Sequence, residues 1–218
     1  MRDAFINCLP FENPKSLIQG INFKLNKDKQ LRICCCSELS ACLYYVDYLG
    51  KSEDIDFTID TRFLRDFKDV FDKGNIIVSI YDRLIEINNE DTSLVIRFLN
   101  KKFPVIEKVL ENPFKKELPI VKNAFEQAFD LIDIVTKNID STIIYKDKKC
   151  IIKHEEGVNV STDINSDVEE ELHIEREQLR KVFRLINKKE MTALFDKNPK
   201  PIVIKEDNKI FLISVLVK

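Results

Sequence analysis

The pattern of apolar and polar positions predicts short strands separated by a few amphipathic helices. The clearest unit is the segment 171–186, in which an alternating strand runs directly into a helix with a continuous apolar stripe. The segment 56–71 repeats this pattern 115 residues earlier, so that Phe57 corresponds to Leu172. A repeat of this length is too long for a solenoid and fits a duplicated domain.

A second repeated segment supports the duplication, because residues 3–9 resemble residues 123–129. The proline-bracketed segment 113–119 is predicted to be a linker. The sequence therefore predicts one domain over residues 1–112 and a second over residues 120–218.

Each half is predicted to contain a helix, strands, a second helix and further strands. The predicted helices are residues 2–9, 61–73, 120–137, 176–189 and a short piece at 191–195. The predicted strands are residues 21–25, 31–36, 41–49, 55–59, 76–80, 84–87, 94–98, 142–145, 150–153, 157–160, 172–174, 202–204 and 210–217. The last strand is almost wholly apolar and is predicted to be buried on both faces. Two helices packed on an antiparallel sheet in each half define an α+β class.

The composition fits a well-solvated globular protein, with 44% apolar and 33% charged residues. No apolar run approaches the length of a membrane span, and the N-terminus lacks a signal-peptide pattern, so a cytoplasmic location is expected. Six cysteines include three consecutive ones at 34–36 in a predicted strand. Their spacing does not complete a zinc set, and buried reduced thiols are expected.

The sequence contains none of the motifs that would indicate an enzyme. Four glycines exclude a P-loop or a glycine-rich dinucleotide loop. The two histidines, His154 and His173, have no recognisable catalytic neighbours and are predicted to be surface strand residues. We therefore expect a non-enzymatic protein without a metal or cofactor.

Basic residues gather on the two predicted helices that follow the repeated strands. Arg176, Arg180 and Arg184 are four residues apart and share one helix face. One interpretation is an ordinary solvated surface. The other is a row of cations for a phosphate backbone, without base reading. The candidate DNA-binding residues are Arg62, Arg65, Lys68, Lys73, Lys122, Arg176, Arg180, Lys181, Arg184 and Lys188.

Together these features resemble the DNA sliding clamps, the ring-shaped processivity factors of DNA polymerases, and most closely their bacterial beta-clamp branch. Residues 98–104 (FLNKKFP) resemble the R-L-x-x-G-x-F-P segment that closes a domain in that family, with lysine in place of the glycine. Residues 31–41 resemble its L-x-x-x-A-T-D-G-x-R-L strand and loop, with Cys-Ser-Glu where Thr-Asp-Gly stands. The ending IFLISVLVK resembles the clamp C-terminus, with Ser-Val-Leu in place of Met-Pro-Met.

The resemblance implies two similar clamp domains that form part of a ring around double-stranded DNA. Such rings contain six domains, so a two-domain chain implies a homotrimer. It also implies sequence-independent DNA binding, a DNA polymerase as partner, an ATP-dependent clamp loader and no membrane partner. A bacterial-type clamp with two domains suggests a phage or mobile-element origin.

The resemblance further implies an apolar pocket that binds partner peptides beside the interdomain linker. The positions carried over are Leu17, Leu39, Ala41, Phe103, Pro104, Val109, Ile213, Val215 and Leu216. Ordinary core packing is the competing explanation for these residues, and it is strongest for Phe103 and Ile213.

Two other functions remain open from the sequence. The chain could be a duplicated-domain processivity accessory, or a clamp-mimicking inhibitor, that binds polymerase or DNA without closing a ring. It could also be an interaction protein unrelated to DNA, whose basic helices are only solvated. Solution mass separates the ring from the first alternative, and salt-dependent DNA affinity separates the first alternative from the second.

Overall fold

The chain forms two compact units, residues 1–105 and 106–218, in a computed structural model. The structure describes residues 2–216 except 14, 16–17, 27, 52–53, 63–76, 91, 100–101, 112 and 197–200. The predicted helix at 61–73 therefore lies almost entirely outside the described residues. No helix in the described part combines the length and the apolar character that a membrane span requires.

The first unit begins with a helix and continues as short antiparallel strands. Its elements are α1 (Arg2–Cys8), a 3₁₀ turn (Leu9–Phe11), β1 (Ile21–Leu25), β2 (Gln30–Cys36), β3 (Ser40–Asp47), β4 (Asp56–Ile59), β5 (Ile77–Ile80), β6 (Leu84–Asn88) and β7 (Ser93–Arg97). One sheet has the order β4-β1-β2-β3 and the other has the order β5-β6-β7. α1 packs against β2 and β3 and buries Ala4, Phe5 and Cys8.

The second unit repeats this plan with one additional strand and one additional short helix at its start. Its elements are α2 (Glu107–Leu110), β8 (Lys116–Val121), α3 (Lys122–Val135), β9 (Asp140–Lys146), β10 (Lys149–Lys153), β11 (Asn159–Asp163), β12 (Glu170–Glu175), α4 (Arg176–Leu185), β13 (Glu190–Phe195), β14 (Ile202–Glu206) and β15 (Lys209–Ile213). One sheet has the order β12-β9-β10-β11 and the other the order β15-β14-β13-β8.

The two units have the same strand order, which confirms two similar α+β domains. In the first unit β4 pairs with β1, and in the second β12 pairs with β9, both antiparallel. The pairing register is also equivalent, because Phe23 lies opposite Phe57 and Ile143 lies opposite Leu172. The repeated sequence unit therefore occupies the same place in both sheets.

The structure corrects three sequence predictions about secondary structure. Residues 191–195 were predicted to be helical and instead belong to β13, which pairs with both β8 and β14. Residues 116–119 were assigned to the linker and instead belong to β8. The final strand ends at Ile213, and residues 214–216 beyond it are half-buried rather than buried on both faces.

All six cysteines are buried as reduced thiols, which confirms the expectation from the sequence. Cys34, Cys35 and Cys36 lie in β2, whose last six residues are buried. Burial raises the pKa of Cys36 and of Cys150 to about 12 and raises the pKa of Cys8 well above its ordinary value. These thiols act as small core residues.

Candidate functional site

Helices α3 and α4 of the second unit pack through a cluster of three phenylalanines. The ring centroids of Phe125 and Phe183 lie 6.0 Å apart in an edge-to-face arrangement, and those of Phe129 and Phe183 lie 6.4 Å apart and stacked. All three side chains are fully buried. Aromatic pairs of this geometry stabilise beyond their buried area, so the two helices form a rigid support for their polar residues.

The first arginine of the predicted cation row, Arg176, is buried rather than presented to solvent. Its side chain is 3% exposed, and its guanidinium donates to the Asp140 carbonyl at 2.9 Å, the Ser141 hydroxyl at 3.2 Å and the Asp133 carboxylate at 2.6 Å. A group held in this way joins β9, α3 and α4. Arg176 therefore joins these elements, and its guanidinium is not exposed as the predicted DNA contact requires.

The second arginine, Arg180, is largely neutralised by acids of α3. Its side chain is 17% exposed and forms ion pairs with Asp130 at 3.0 Å and Asp133 at 2.6 Å. Its guanidinium also lies 5.6 Å from the centroid of the Phe129 ring, a cation–π contact. Arg180 is thus mainly a packing residue between the two helices.

The C-terminal end of α4 is held by lysine side chains from other elements. The Lys122 ammonium donates to the carbonyl oxygens of Phe183 and Ile186, and Lys209 donates to that of Leu185 at 3.1 Å. Cations in this position satisfy the free carbonyls of a helix end and match its negative dipole. Lys122, a candidate DNA-binding residue, is consequently engaged inside the unit.

The cations that remain at the surface of α4 lie toward its C-terminal end. Arg184 is 67% exposed, and its closest acidic partner, Glu177, is 3.9 Å away. Lys188 is exposed just beyond the helix, while Lys181 is half-buried and donates to Gln178 at 3.0 Å. The row from Arg176 to Arg184 thus changes from buried to exposed along the helix.

The first unit offers one described candidate cation, Arg62. It is exposed, but its guanidinium binds Asp60 through both carboxylate oxygens, at 2.6 to 3.0 Å. The hydrogen bond to Asp60 raises the pKa of Arg62. Arg65, Lys68 and Lys73 lie outside the described residues.

The candidate peptide-pocket residues divide into core and surface positions. Ala41 and Ile213 are buried, so the structure assigns both to the core. The candidates with partly exposed side chains are Leu39, Phe103 and Pro104 in the first unit, and Val109, Val215 and Leu216 in the second. Leu17 lies outside the described residues.

Two features of the surface were missed by the sequence reasoning. His154, predicted to be a surface residue, is only 6% exposed and lines a polar cleft with His173. On α3 and just after it, four apolar side chains are exposed, namely Leu131, Ile134, Val135 and Ile139. Helical spacing predicts the helix itself, but only the three-dimensional structure shows that these four side chains are left uncovered by the described residues.

Comparisons with known proteins agree on the fold. No protein-family model and no curated protein sequence matches the chain. Among solved structures, the DNA polymerase III beta chain of Streptococcus pneumoniae matches with a TM-score of 0.83 at 18% identity, over 100% of this chain and 63% of that one. The beta subunit of Thermotoga maritima matches with a TM-score of 0.87 at 12% identity, over the same shares.

A third match is the Helicobacter pylori beta clamp bound to a DNA ligase peptide, with a TM-score of 0.87 at 14% identity, again over 100% of this chain and 63% of that one. The chain therefore spans less than two thirds of the length of these proteins. At such low identities the likeness concerns the fold. The chain has the fold of the bacterial DNA polymerase III beta sliding clamps.

Proposed function

We propose that this protein is a sliding clamp, a non-enzymatic processivity factor that encircles duplex DNA and tethers a DNA polymerase. The observation that carries the proposal is the match of the entire chain, as two copies of one domain, to DNA polymerase III beta subunits. A cytoplasmic location and loading by an ATP-dependent clamp loader follow from the same role.

The proposed DNA contacts use the exposed cations at the C-terminal end of α4. Arg184 extends from a helix fixed by the phenylalanine cluster and by Lys122, and Lys188 lies just beyond the end of this helix. Both side chains are exposed. A clamp that slides must contact phosphates without reading bases, and long cationic side chains suit that task. Arg62 offers a weaker contribution from the first unit, because Asp60 holds it.

Ring closure is proposed to occur by strand pairing between copies of the chain. In the described part, β7 pairs only with β6 and β11 pairs only with β10, so each has one open edge. Open edges are templates for pairing with another chain. Val95 of β7 is 58% exposed and Ile134 of α3 is 80% exposed. If β7 of one copy paired with β11 of the next, the contact would cover apolar side chains of both units, such as Val95 and Ile134.

A head-to-tail contact of this kind is heterologous and forms a closed ring only for a fixed number of copies. Six domains in a ring correspond to three copies of this chain. Val109 and Leu216 of the second unit remain proposed contacts for a polymerase peptide, and Leu39 of the first unit is a separate candidate. In support of such a site, the Helicobacter pylori clamp named above binds a DNA ligase peptide.

The ring can be tested with engineered cysteines, because the six native thiols are buried. The variant Val95→Cys/Ser161→Cys places one new thiol on β7 and one on β11, both at exposed positions. After incubation with nicked circular plasmid, the cognate clamp loader and ATP, a flexible bismaleimide should give a closed trimer that stays on the DNA in detergent and is released when the plasmid is linearised.

Val95→Cys alone is the matched control, since one new thiol cannot link copies head to tail into a ring. Chains that remain monomeric in the double variant, or trimers that leave circular and linear DNA equally, would refute the ring.

A further inference from the structure

The second unit contains a polar cleft of about 320 Å³, whose polar lining residues have no role in the proposed clamp function. Both histidines of the chain line it, together with hydroxyl and charged side chains. Within the described residues, no group of three His, Cys, Asp or Glu side chains could hold a metal ion. The hydrogen-bond donors of the cleft therefore decide which ligand it would bind.

Three of the lining residues form one row across neighbouring strands. Lys153 of β10 lies directly opposite Thr142 of β9, and Thr142 lies directly opposite His173 of β12. The Thr142 hydroxyl and His173 Nδ1 are 3.0 Å apart and share a hydrogen bond. Alternation along the strands places this row on the sheet face opposite the buried Ile143 and Leu172. The row thus presents an ammonium, a hydroxyl and an imidazole together.

His154 adds a buried donor to the same cleft. The Glu156 backbone amide donates to His154 Nδ1 at 3.2 Å, so this nitrogen is the acceptor of the ring. In the neutral imidazole the hydrogen then sits on Nε2. Among the described residues His154 Nε2 is buried and has no hydrogen-bond partner. A buried donor without a partner costs free energy, and an acceptor supplied by a ligand in the cleft would remove this cost.

Ser141 also lines the cleft, but its hydroxyl lies on the opposite face of the sheet. It is next to Thr142 in β9 and accepts a hydrogen bond from the buried Arg176 guanidinium at 3.2 Å. Asp140 and Glu155 line the cleft as well, but both are exposed, so water screens their charge.

In the first unit, the polar groups at the equivalent row form hydrogen bonds with one another. Asn22 occupies the position that Thr142 has in the second unit, and its amide donates to Asp56, to the Phe57 carbonyl and to Thr58, each at 3.1 Å. Its side-chain oxygen accepts from Arg32. The polar groups at this position thus satisfy one another in one copy of the domain, whereas the second copy keeps open donors.

We propose that the cleft of the second unit binds a small oxyanion, a phosphate or a carboxylate. The Lys153 ammonium and the His154 Nε2 hydrogen both donate, and oxyanion oxygens accept several hydrogen bonds at once. The site lies on the sheet and is independent of the cations on α4. Leu216, a proposed peptide contact, also lines the cleft. Anion binding can still be measured without DNA or a partner, so it is tested separately from the proposed clamp function.

The test is a titration followed by NMR of the histidine rings, of which the chain has only two. Inorganic phosphate and acetate are added separately at constant ionic strength, with chloride as the balancing anion. A saturable shift of the His154 and His173 ring signals is expected, and the anion with the lower half-saturation concentration identifies the preferred oxyanion. Lys153→Ala should weaken binding by about tenfold, because it removes a charge-assisted hydrogen bond.

Lys149→Ala is the matched control, since Lys149 is an exposed lysine of the same strand outside the cleft. It should leave the titration unchanged. Lys153→Gln replaces Lys153→Ala if the alanine variant does not fold. The proposal is overturned if neither anion gives a saturable shift, or if Lys149→Ala weakens binding as much as the change at Lys153.

Discussion

The backbone amide of Leu216 donates a 2.8 Å hydrogen bond to the carbonyl oxygen of His173. The same contact joins Leu99 to Thr58 in the first unit, also at 2.8 Å. His173 and Thr58 hold equivalent places in β12 and β4, so the segment after the last strand covers the same strand edge in both units. The duplication thus includes the segment after the last strand of each unit as well as the strand–helix unit.

Leu216 is held in place by its backbone while its side chain stays half-buried, which suits a residue that contacts a partner. Leu216→Asp should weaken binding of a fluorescent peptide from the cognate polymerase by about tenfold or more, because it puts a carboxylate in an apolar contact. Fluorescence anisotropy measures the affinity, and urea denaturation should give an unchanged stability.

Leu99→Asp makes the same change at the equivalent position of the first unit and should leave peptide affinity unaltered. If Leu216→Asp unfolds the chain, or if the two variants lose affinity equally, Leu216 is a core residue and the pocket assignment fails.

The exposed end of α4 should carry the DNA affinity of the second unit. Arg184→Glu/Lys188→Glu should weaken binding to any duplex sequence and lower the slope of log affinity against log salt by about 2, roughly one per lost phosphate contact. Fluorescence-monitored titration at several salt concentrations measures both quantities. Arg180 is not included, because its ion pairs with Asp130 and Asp133 would confound the result.

Lys146→Glu/Lys149→Glu reverses two exposed charges beside the β9–β10 turn and serves as the control. Equal losses in both double variants would mean that net charge, rather than the surface of α4, governs DNA binding.

Arg176 should be a stability residue and not a DNA contact. Arg176→Ala leaves the Asp140 carbonyl and the Ser141 hydroxyl without this donor and Asp133 with Arg180 alone, and it should lower the free energy of unfolding by about 3 kcal/mol. Arg176→Lys should recover part of this loss. Chemical denaturation followed by circular dichroism checks the prediction, and an unchanged midpoint with weaker DNA binding would reverse the assignment.

Buried thiols should make the fold sensitive to alkaline pH. Burial raises the pKa of Cys36 and Cys150 from 9.0 to about 12 in the folded chain, so the unfolded chain releases these protons first. Their contribution to stability is fully present below pH 9 and is lost as the pH rises from about 9 to about 12. Denaturation midpoints measured across this range should fall, and Cys150→Ala should reduce the fall. A midpoint independent of pH there would show that these thiols are not buried.

The repeated unit could be predicted from sequence because its signal is local. Apolar and polar residues alternate around Phe57 and Leu172, and helical spacing follows. This pattern does not depend on distant residues, and it predicted both strands correctly. Residues 191–195 were mispredicted because methionine, alanine and leucine favour helices, whereas pairing with β8 and β14 decides the outcome.

The candidate site was less predictable because its charges depend on distant partners. Helical spacing placed Arg176, Arg180 and Arg184 on one face, but it could not show that Asp130 and Asp133 of another helix neutralise the first two. Likewise, strand register rather than sequence proximity brings His154 and His173 to one cleft. Local periodicity therefore predicts elements and faces, and tertiary packing decides which charges remain free.

The native mass in solution tests the ring most directly. Light scattering coupled to size-exclusion chromatography should give three times the 25.5 kDa mass of the chain, with no shift on moderate dilution. A mass of one chain at every concentration up to the solubility limit would contradict a closed ring, and it would favour a duplicated-domain protein that binds its partners without encircling DNA.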